Sequence, residues 1–307
     1  IQDLTAAGAQ PMTRAQVPWV LTFNGEIYNA PLLRAELEAT GVRFRGHSDT
    51  EVLLEAIAAW GTDVLPRLDG MFAFAAFNVE TGELLLARDP FGEKPLYYCD
   101  AGPGGIAFAS ELTALESLPW FERVVPRDRM AEMLMFQYIG APRTIYRDAH
   151  KLPPGHYMWI SPAGDRRIER YFAYEPTTAP DGADDLPLWD AADALDILLQ
   201  ASLDRRLMSD VPLGALLSGG VDSATTCALI RKGLDVPLKT FSLGFAGAPE
   251  SETPVAAAFA AAIGSDHHEL IVDESAVSFL RWVGTLQDEP NGDVSCFPTY
   301  YLSKLVR

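Results

Sequence analysis

The sequence predicts two unlike domains, a β-rich first half and a second half in which helices and strands alternate. In the first half, apolar runs are separated by tight-turn signals, a pattern typical of an antiparallel sandwich with flanking helices. In the second half, short apolar strands separate helices, which favours a parallel sheet with right-handed crossovers. A length of 307 residues suits two domains, and 48% apolar residues supply a core for each.

The first strand and helix are predicted from local signals near the start. Val20–Phe23 has the composition of a strand, and Asn24-Gly25 behind it is a strong turn signal. Asn29–Pro31 opens a helix that stops at Gly41. By pattern alone, Asn24-Gly25 is equally well explained as a plain hairpin turn.

A second helix and a hairpin are predicted next. Ser48, with Glu51 three residues later, fits a capping box for a helix that ends near Trp60. By pattern alone, Ser48-Asp49 is equally well explained as this helix cap and nothing more, without a role in a functional site. The strands of the hairpin are Met71–Val79 and Glu83–Arg88, with a tight turn between them.

The domain boundary is predicted at residues 175–187, a Pro-rich and acidic stretch without apolar periodicity. It separates a first domain over 1–174, whose end from residue 119 onward bridges the two halves, from a second domain over 188–307. The second domain alternates helices over 188–206, 222–232, 252–263 and 274–286 with strands over 213–217, 238–243 and 268–272. Such open α/β sheets bind ligands at the carboxyl ends of their strands.

The most informative stretch, Pro212–Ile230, combines a strand, a glycine-rich turn and a helix. Leu213–Leu217 is nearly all apolar, as expected of a strand buried on both faces. The turn Ser218–Gly220 has consecutive glycines, which let backbone N–H groups approach a phosphate, with the positive end of the helix behind them. A Gly-Gly pair after a strand is equally well explained as a plain turn, and no G-x-x-x-x-G-K-[ST] motif occurs.

Composition argues against several classes of protein. A net charge of −18 without any basic run argues against nucleic-acid binding. No apolar run reaches the ~18 residues needed to span a bilayer, and no signal-peptide pattern is found. The cysteines, Cys99, Cys227 and Cys296, form no disulfide framework and predict a reducing, cytoplasmic setting. The five histidines lack zinc spacing and are expected to be structural, and Ser218 lacks the frame of a hydrolase nucleophile.

The string SGGVDS at residues 218–223 resembles the pyrophosphate loop of ATP pyrophosphatases, which cleave ATP between its α and β phosphates. The resemblance implies that the loop cradles pyrophosphate, that Asp222 is a ligand of Mg²⁺, and that the region of Ser242 lines the adenine pocket. A cation is required because an acidic side chain beside a polyphosphate would otherwise repel it. The implied ATP-binding residues are Leu217, Ser218, Gly219, Gly220, Asp222, Ser223, Ser242, Leu243 and Gly244.

The strings FNGEIYN and SDTE resemble the glutaminase domain of class II glutamine amidotransferases. More narrowly, together with LPPGHY, FSLGF, DHHEL and DEP, they resemble the glutamine-hydrolysing asparagine synthetases, and this resemblance extends over Asp3–Arg307. It implies an N-terminal αββα sandwich of the Ntn-hydrolase type. It also implies a C-terminal doubly wound parallel sheet of the ATP-pyrophosphatase type.

The same resemblance assigns roles in glutamine hydrolysis to four residues. The Asn24 side chain and the Gly25 backbone N–H would form the oxyanion hole, which stabilises the tetrahedral intermediate. Glu26 and Asp49 would hold the α-amino group of glutamine, since a pair of carboxylates suits an ammonium group.

Three parts of the family pattern are missing from the sequence. Class II amidotransferases use an N-terminal cysteine as nucleophile, whereas this sequence begins with Ile1 and none of its three cysteines lies at a terminus. Each cysteine is instead expected to be a buried, small apolar residue. The family's glutamine-carboxylate arginine and its S-G-[DE]-G-[GS]-D-E segment also lie outside residues 1–307. We therefore expect the sequence to be part of a longer protein, trimmed at both ends.

The expected activity is glutamine-dependent amide formation with ATP and Mg²⁺, with aspartate as the default acceptor. One alternative is an ATP-dependent ligase with an inactive glutaminase half, like the β-lactam synthetases, and another is a non-catalytic binding protein. The expected partners are glutamine, ATP and a carboxylate acceptor, without nucleic acid or membrane. A homodimer is left open.

Overall fold

A computed structural model of the chain divides by its internal contacts into two compact units. The first unit comprises Ile1–Glu175 together with Gln287–Gly292, and the second comprises Pro176–Leu286 with Asp293–Arg307. Most of the helix predicted over 274–286 and most of the predicted linker lie outside the described residues. The structure describes residues 2–102, 104–176, 187–234, 237–247, 251–273, 282, 284 and 287–307.

The first unit contains nine strands and four α-helices among its described residues. The strands are β1 (Met12–Arg14), β2 (Val17–Ile27), β3 (Gly70–Asn78), β4 (Leu84–Arg88), β5 (Tyr97–Asp100), β6 (Ile106–Ala109), β7 (Ala149–Lys151), β8 (His156–Ile160) and β9 (Arg166–Arg170). The helices are α1 (Ala30–Ala39), α2 (Asp49–Trp60), α3 (Leu112–Glu116) and α4 (Arg127–Phe136), with 3₁₀ turns at Ala6–Gly8 and Gly61–Arg67.

These strands form two antiparallel sheets, one in the order β1-β2-β3-β4-β8-β9 and the other in the order β6-β5-β7. Side chains alternate along β3, so that Phe72 and Phe74 pack in the core with α1 and α2, whereas Ala73 packs in the core that contains Tyr98 of β5. On β5 the neighbouring Tyr97 faces the other way and packs with α3. The layers are therefore helices, sheet, sheet and helices, which confirms the predicted αββα sandwich.

The prediction of a turn at Asn24-Gly25 was wrong. Strand β2 continues through both residues to Ile27, with Asn24 paired to Ala73 and Gly25 to Phe72 of β3. A Cβ atom on Gly25 would lie 2.1 Å from the carbonyl oxygen of Met71, so glycine is required there by close backbone approach. The local turn signal was overridden by pairing between strands that are far apart in sequence.

Helices α1 and α2 form where the sequence predicts them, but only one of the two hydrogen bonds of the predicted capping box of α2 is present. The Ser48 hydroxyl accepts a hydrogen bond from the backbone N–H of Glu51 at 3.2 Å. The Glu51 carboxylate does not return this bond, because it accepts from the N–H groups of Arg45 and Gly46 and pairs with Arg14. Glu51 therefore fixes the loop that precedes α2.

The second unit is a parallel α/β layer structure. Within the described residues its elements are β10 (Gly214–Leu216), β11 (Lys239–Phe245), β12 (Asp266–Val272), α5 (Leu188–Arg206), α6 (Val221–Lys232), α7 (Thr253–Ile263) and α8 (Cys296–Val306). The sheet has the order β10-β11-β12, and both neighbouring pairs are parallel. Gly244 of β11 faces Thr253 of α7, whereas the adjacent Leu243 packs in the core of α8, so helices cover both faces of β11.

The prediction that the strand at Leu213–Leu217 is buried on both faces was wrong for most of its length. Leu216 of β10 is 53% exposed, because β10 is an edge strand of the described sheet.

Candidate functional site

The predicted phosphate loop lies at the carboxyl edge of the parallel sheet. Leu217, directly after β10, is 2% exposed and its N–H donates to the carbonyl oxygen of Phe241 at 2.8 Å. Ser218–Gly220 then turns the chain into α6, for which Gly220 is the N-cap residue. The positive end of α6 therefore faces the loop, as an anion-binding turn requires.

Two serines fix the shape of this loop. The Ser218 N–H donates to the Ser223 hydroxyl at 3.1 Å, and the two hydroxyl oxygens lie 2.8 Å apart. The Gly220 N–H donates to the Ser218 hydroxyl at 3.1 Å. The loop is thus bound back onto the first turn of its own helix.

Glu252 is a loop contact that the sequence reasoning missed. Its carboxylate accepts a hydrogen bond from the Gly219 N–H at 3.2 Å, so an acidic side chain bonds an amide that the resemblance assigns to phosphate. A Cβ atom on Gly219 would lie 3.0 Å from the Cβ of Glu252, which is tighter than an ordinary contact. Glycine therefore allows Glu252 to lie close to the backbone of the loop. The only sequence signal was that Glu252 follows the strand ending at the same sheet edge.

A cavity of about 300 Å³ opens beside the loop. Four of the nine predicted ATP-binding residues do not line it: Gly219, Gly220, Asp222 and Gly244. Asp222 is exposed on the first turn of α6, and Gly244 is packed against Thr253. The Ser242 hydroxyl is hydrogen-bonded to His267 Nε2 at 3.1 Å, so its orientation is set from the neighbouring strand. The predicted ATP-binding residues that line the cavity are Leu217, Ser218, Ser223, Ser242 and Leu243.

The side chains near the loop include one carboxylate that suits the predicted Mg²⁺, that of Asp222. Within the described residues, no group of three or more His, Cys, Asp or Glu side chains could hold a metal ion. Mg²⁺ is usually bound through one or two carboxylates plus phosphate oxygens and waters, so it does not need such a group. The carboxylate of Asp222, exposed beside the loop, fits that mode of binding.

The predicted glutaminase residues lie on β2, and the backbone pattern of β2 determines where their N–H groups point. Both backbone groups of Phe72 on β3 are hydrogen-bonded to Asp89. The Phe72 carbonyl oxygen accepts from the Asp89 N–H at 2.8 Å, and the Phe72 N–H donates to the Asp89 carboxylate at 3.3 Å. Phe72 therefore cannot bond to its partner Gly25, and the Gly25 N–H points to the opposite, open edge of β2.

The neighbouring amides on that edge are occupied by side chains. The Phe23 N–H donates to Gln10 at 2.6 Å, and the Ile27 N–H donates to Asp49 at 2.9 Å. Among the side chains that the structure describes, none accepts from the Gly25 N–H between them. This donor is available at the sheet edge, with no rearrangement of the strand.

Asn24 is exposed, and its Nδ2 donates to the Ser110 hydroxyl at 3.2 Å. Asn24 and Glu26 project from the same face of β2 because they are two residues apart. The Nδ2 group has a second hydrogen, so the bond to Ser110 orients the carboxamide and leaves one donor for a ligand. Ser110 was not predicted, because it lies 86 residues from Asn24 in sequence.

Asp49 and Glu26 form the predicted acidic pair. Asp49 is 5% exposed, and burial raises its pKa, with repulsion from the Glu26 carboxylate adding to the effect. Hydrogen bonds from Ile27 and Thr50 oppose this shift. A cation bound between the two carboxylates would relieve both the desolvation and the repulsion.

The cysteines take no visible part in either site. Cys99 and Cys227 are buried as predicted, and burial raises the pKa of both thiols. Cys296 is only half buried. A raised thiol pKa disfavours the thiolate, which is the nucleophilic form.

Comparison with known families assigns the two halves separately. Residues 1–172 match the family model of the glutamine amidotransferase domain, and residues 194–307 match that of asparagine synthase. No helix in the described part of the chain is both long and apolar enough to cross a membrane.

Curated relatives match over most of the chain. Asparagine synthetase [glutamine-hydrolyzing] 1 of Bacillus subtilis is 34% identical over 300 residues, covering 97% of this chain and 46% of the relative. A putative asparagine synthetase of Mycobacterium tuberculosis H37Rv is 37% identical over 299 residues, covering 94% and 45%. Asparagine synthetase B of Escherichia coli K12 is 32% identical over 280 residues, covering 86% and 44%.

Among solved structures, the glutamine phosphoribosylpyrophosphate amidotransferase of B. subtilis aligns with a TM-score of 0.39 and 20% identity, covering 88% of this chain and 52% of its own. The chain spans about half the length of the curated relatives that it matches. On the two family matches and the identity to these relatives, the chain belongs to the glutamine-hydrolysing asparagine synthetase family.

Proposed function

We propose that this chain forms an amide from a carboxylate, with glutamine as the nitrogen donor and ATP as the activating substrate. Glutamine is hydrolysed to ammonia in the first unit, and the carboxylate is adenylated in the second. The observation that carries the proposal is the open Gly25 N–H beside the Asn24 carboxamide, on a strand that the Asp49 side chain also bonds.

In the first stage, Asn24 and Gly25 stabilise the oxyanion that forms when a thiol attacks the glutamine amide. Preorganised donors lower the barrier because they need no reorientation as negative charge develops. Glu26 and the ionised Asp49 hold the α-ammonium group of glutamine. The resemblance implies an N-terminal cysteine as the source of the attacking thiol. Burial raises the pKa of Cys99, which disfavours its thiolate as an alternative nucleophile.

In the second stage, the amides of Ser218–Gly220 and the N-terminus of α6 bind the phosphates of ATP. On binding, these amides exchange their hydrogen bonds to the side chains of Ser223, Glu252 and Ser218 for bonds to phosphate oxygens. The adenine lies near Ser242 and Leu243 at the same sheet edge. Bound at Asp222, Mg²⁺ would neutralise phosphate charge. The acceptor carboxylate displaces pyrophosphate to give an acyl-adenylate, and attack by ammonia releases the amide and AMP.

Aspartate is the proposed acceptor, and the product is then asparagine. The proposed location is the cytoplasm. An inactive glutaminase half is less well supported, because the open Gly25 N–H and the Glu26–Asp49 pair are both retained. The same features also favour an enzyme over a binding protein.

The test assays the encoded protein for pyrophosphate release with a panel of carboxylates, supplying either glutamine or ammonia. We expect aspartate to give stoichiometric amide, AMP and pyrophosphate with either nitrogen source. Activity with ammonia alone would favour the ligase with an inactive glutaminase half. If no carboxylate released pyrophosphate, the proposed synthetase activity would be wrong.

A further inference from the structure

A six-residue segment, Gln287–Gly292, belongs to the first unit although its sequence lies within the part that matches asparagine synthase. The chain on either side of it belongs to the second unit. We call this segment the strap. The strap is therefore a part of the first unit that comes from the synthase-matching sequence.

The strap binds the first turn of α3 through Asp288. One carboxylate oxygen of Asp288 accepts from the Leu112 N–H at 2.8 Å, and the other accepts from the Thr113 N–H at 3.2 Å and from the Thr113 hydroxyl. The N-cap residue of α3, Glu111, makes no side-chain capping bond. Asp288, which lies 176 positions from Leu112 in sequence, therefore caps the N-terminus of α3 in place of a local side chain.

Three further contacts, made by Glu289 and Gly292, anchor the rest of the strap. Glu289 accepts from the Ile145 N–H at 2.6 Å and pairs with Lys151, and both side chains of that ion pair are more than four-fifths buried. At the end of the strap, the Gly292 N–H donates to the carbonyl oxygen of Gln137 at 2.8 Å. Three of the six residues of the strap, Asp288, Glu289 and Gly292, are thus bonded to the rest of the first unit.

The bonds to Asp288 lie two residues from the partner of Asn24. Ser110 directly follows β6, and Leu112 begins α3, so the chain from 110 to 113 is held by β6 on one side and by Asp288 on the other. The Ser110 hydroxyl accepts from Asn24 Nδ2. Because the terminal torsion of an asparagine is broad, this bond decides where an exposed carboxamide points.

We propose that Asp288 is a positioning residue for the Asn24 carboxamide, acting through the start of α3 and Ser110. The inference rests on the proposed glutaminase role of Asn24. It means that the oxyanion hole of the first unit is aligned by a residue from the synthase-matching part of the sequence. Loosening the strap would misdirect an oxyanion donor without touching glutamine.

The test uses the encoded protein and compares Asp288→Asn with Asp128→Asn, which makes the same change at an exposed residue in the first turn of α4. We expect Asp288→Asn to lower kcat for glutamine hydrolysis about tenfold with little change in KM, since a small misplacement of a catalytic group can cost up to roughly a hundredfold. The NMR resonances of the Asn24 side-chain amide should shift in this variant and stay in place in the control.

Ser110→Ala should reproduce both effects, and adding Asp288→Asn to it should lower kcat no further, because the two residues act in one chain of contacts. Asp288→Glu, which keeps the charge, should recover part of the rate. Should Asp288→Asn fail to fold, Thr113→Val removes one bond to Asp288 and should shift the Asn24 resonances in the same direction.

Unchanged kcat and unchanged Asn24 resonances in Asp288→Asn would overturn the inference, as would independent, multiplicative effects of Asp288→Asn and Ser110→Ala. If Asn24→Ala left glutamine hydrolysis intact, the proposed function of the first unit would be wrong. The Asn24 resonances would still report on the strap in that case, since their response to Asp288→Asn requires no activity.

Discussion

Two glycine amides, one in each unit, are predicted to bind developing or full negative charge, and they are prepared in opposite ways. The Gly25 N–H lies in a regular strand and points to an open edge. The Gly219 N–H lies in a loop and is bonded to the carboxylate of Glu252. A donor for a transient oxyanion works best when preorganised and free, whereas a loop for a stable polyphosphate can hold an internal anion until its ligand arrives.

The largest effect is expected from removal of the Asn24 carboxamide, which lies beside the Gly25 amide in the first unit. Asn24→Ala should lower kcat for glutamine hydrolysis by roughly a hundredfold or more, as loss of one oxyanion donor does elsewhere. Synthesis from ammonia should be unaffected, because it uses the second site. Steady-state assays with each nitrogen source measure both quantities.

Thr22→Ala, an exposed position on the same face of β2, is the matched control. An equal fall of the ammonia-dependent rate in Asn24→Ala would contradict the separation of the two sites.

The sequence predicted the loop of the second unit better than the edge of the first. The alternation of helix and strand after residue 188 placed Ser218 correctly, because that signal is local. Asn24-Gly25 is also a local signal, but Gly25 is required by the Met71 carbonyl oxygen of another strand. Local patterns could not reveal that constraint.

The missed residues share one property, which is distance along the chain from the groups they contact. Ser110 lies 86 positions from Asn24, Glu252 lies 33 from Gly219, and Asp288 lies 176 from Leu112. Motif resemblance names residues that touch ligands, whereas these residues touch other parts of the protein. Only the folded chain brings them together.

The next largest effect is expected in the second unit. Asp222→Asn should lower ATP-dependent pyrophosphate release roughly ten- to a hundredfold, since it removes one charged ligand worth about 1.5–3 kcal/mol. Glutamine hydrolysis should be spared. Pyrophosphate release should be measured over a range of Mg²⁺ concentrations, where the variant should need more Mg²⁺ for half-maximal rate.

Asp204→Asn, at an exposed position of α5, makes the same chemical change away from the loop. An unaltered rate and Mg²⁺ dependence in Asp222→Asn would exclude Asp222 as a metal ligand.

Asp49→Asn should separate glutamine binding from stability. It should raise KM for glutamine about tenfold by removing one partner of the ammonium group. Burial raises the pKa of Asp49 in the folded state above its ordinary value of 3.8. Asp49 therefore stabilises the folded state at pH values below 3.8, and this stabilisation is lost as the pH rises through the raised pKa. At pH 7 the variant should therefore be at least as stable as the wild type.

Chemical denaturation at pH 7 and near pH 3.5 measures that difference, which should shrink at the lower pH. Asp63→Asn, at an exposed position after α2, should change neither KM nor the pH dependence. A variant less stable than the wild type at pH 7 would show that the hydrogen bond from Ile27 outweighs the burial of charge.

The smallest effect sharpens the comparison between the two amides. Glu252→Gln keeps the size of the side chain but removes the negative charge next to the Gly219 amide, so pyrophosphate should bind a few-fold more tightly, in line with about 1 kcal/mol for a partly exposed charge interaction. Calorimetric titration of pyrophosphate with and without Mg²⁺ measures this, with Glu269→Gln of β12 as the exposed control. Weaker binding that appears only with Mg²⁺ would mean that Glu252 helps to bind the cation. Glu252 would then be part of the pyrophosphate site, rather than an internal anion that competes with pyrophosphate for the Gly219 amide.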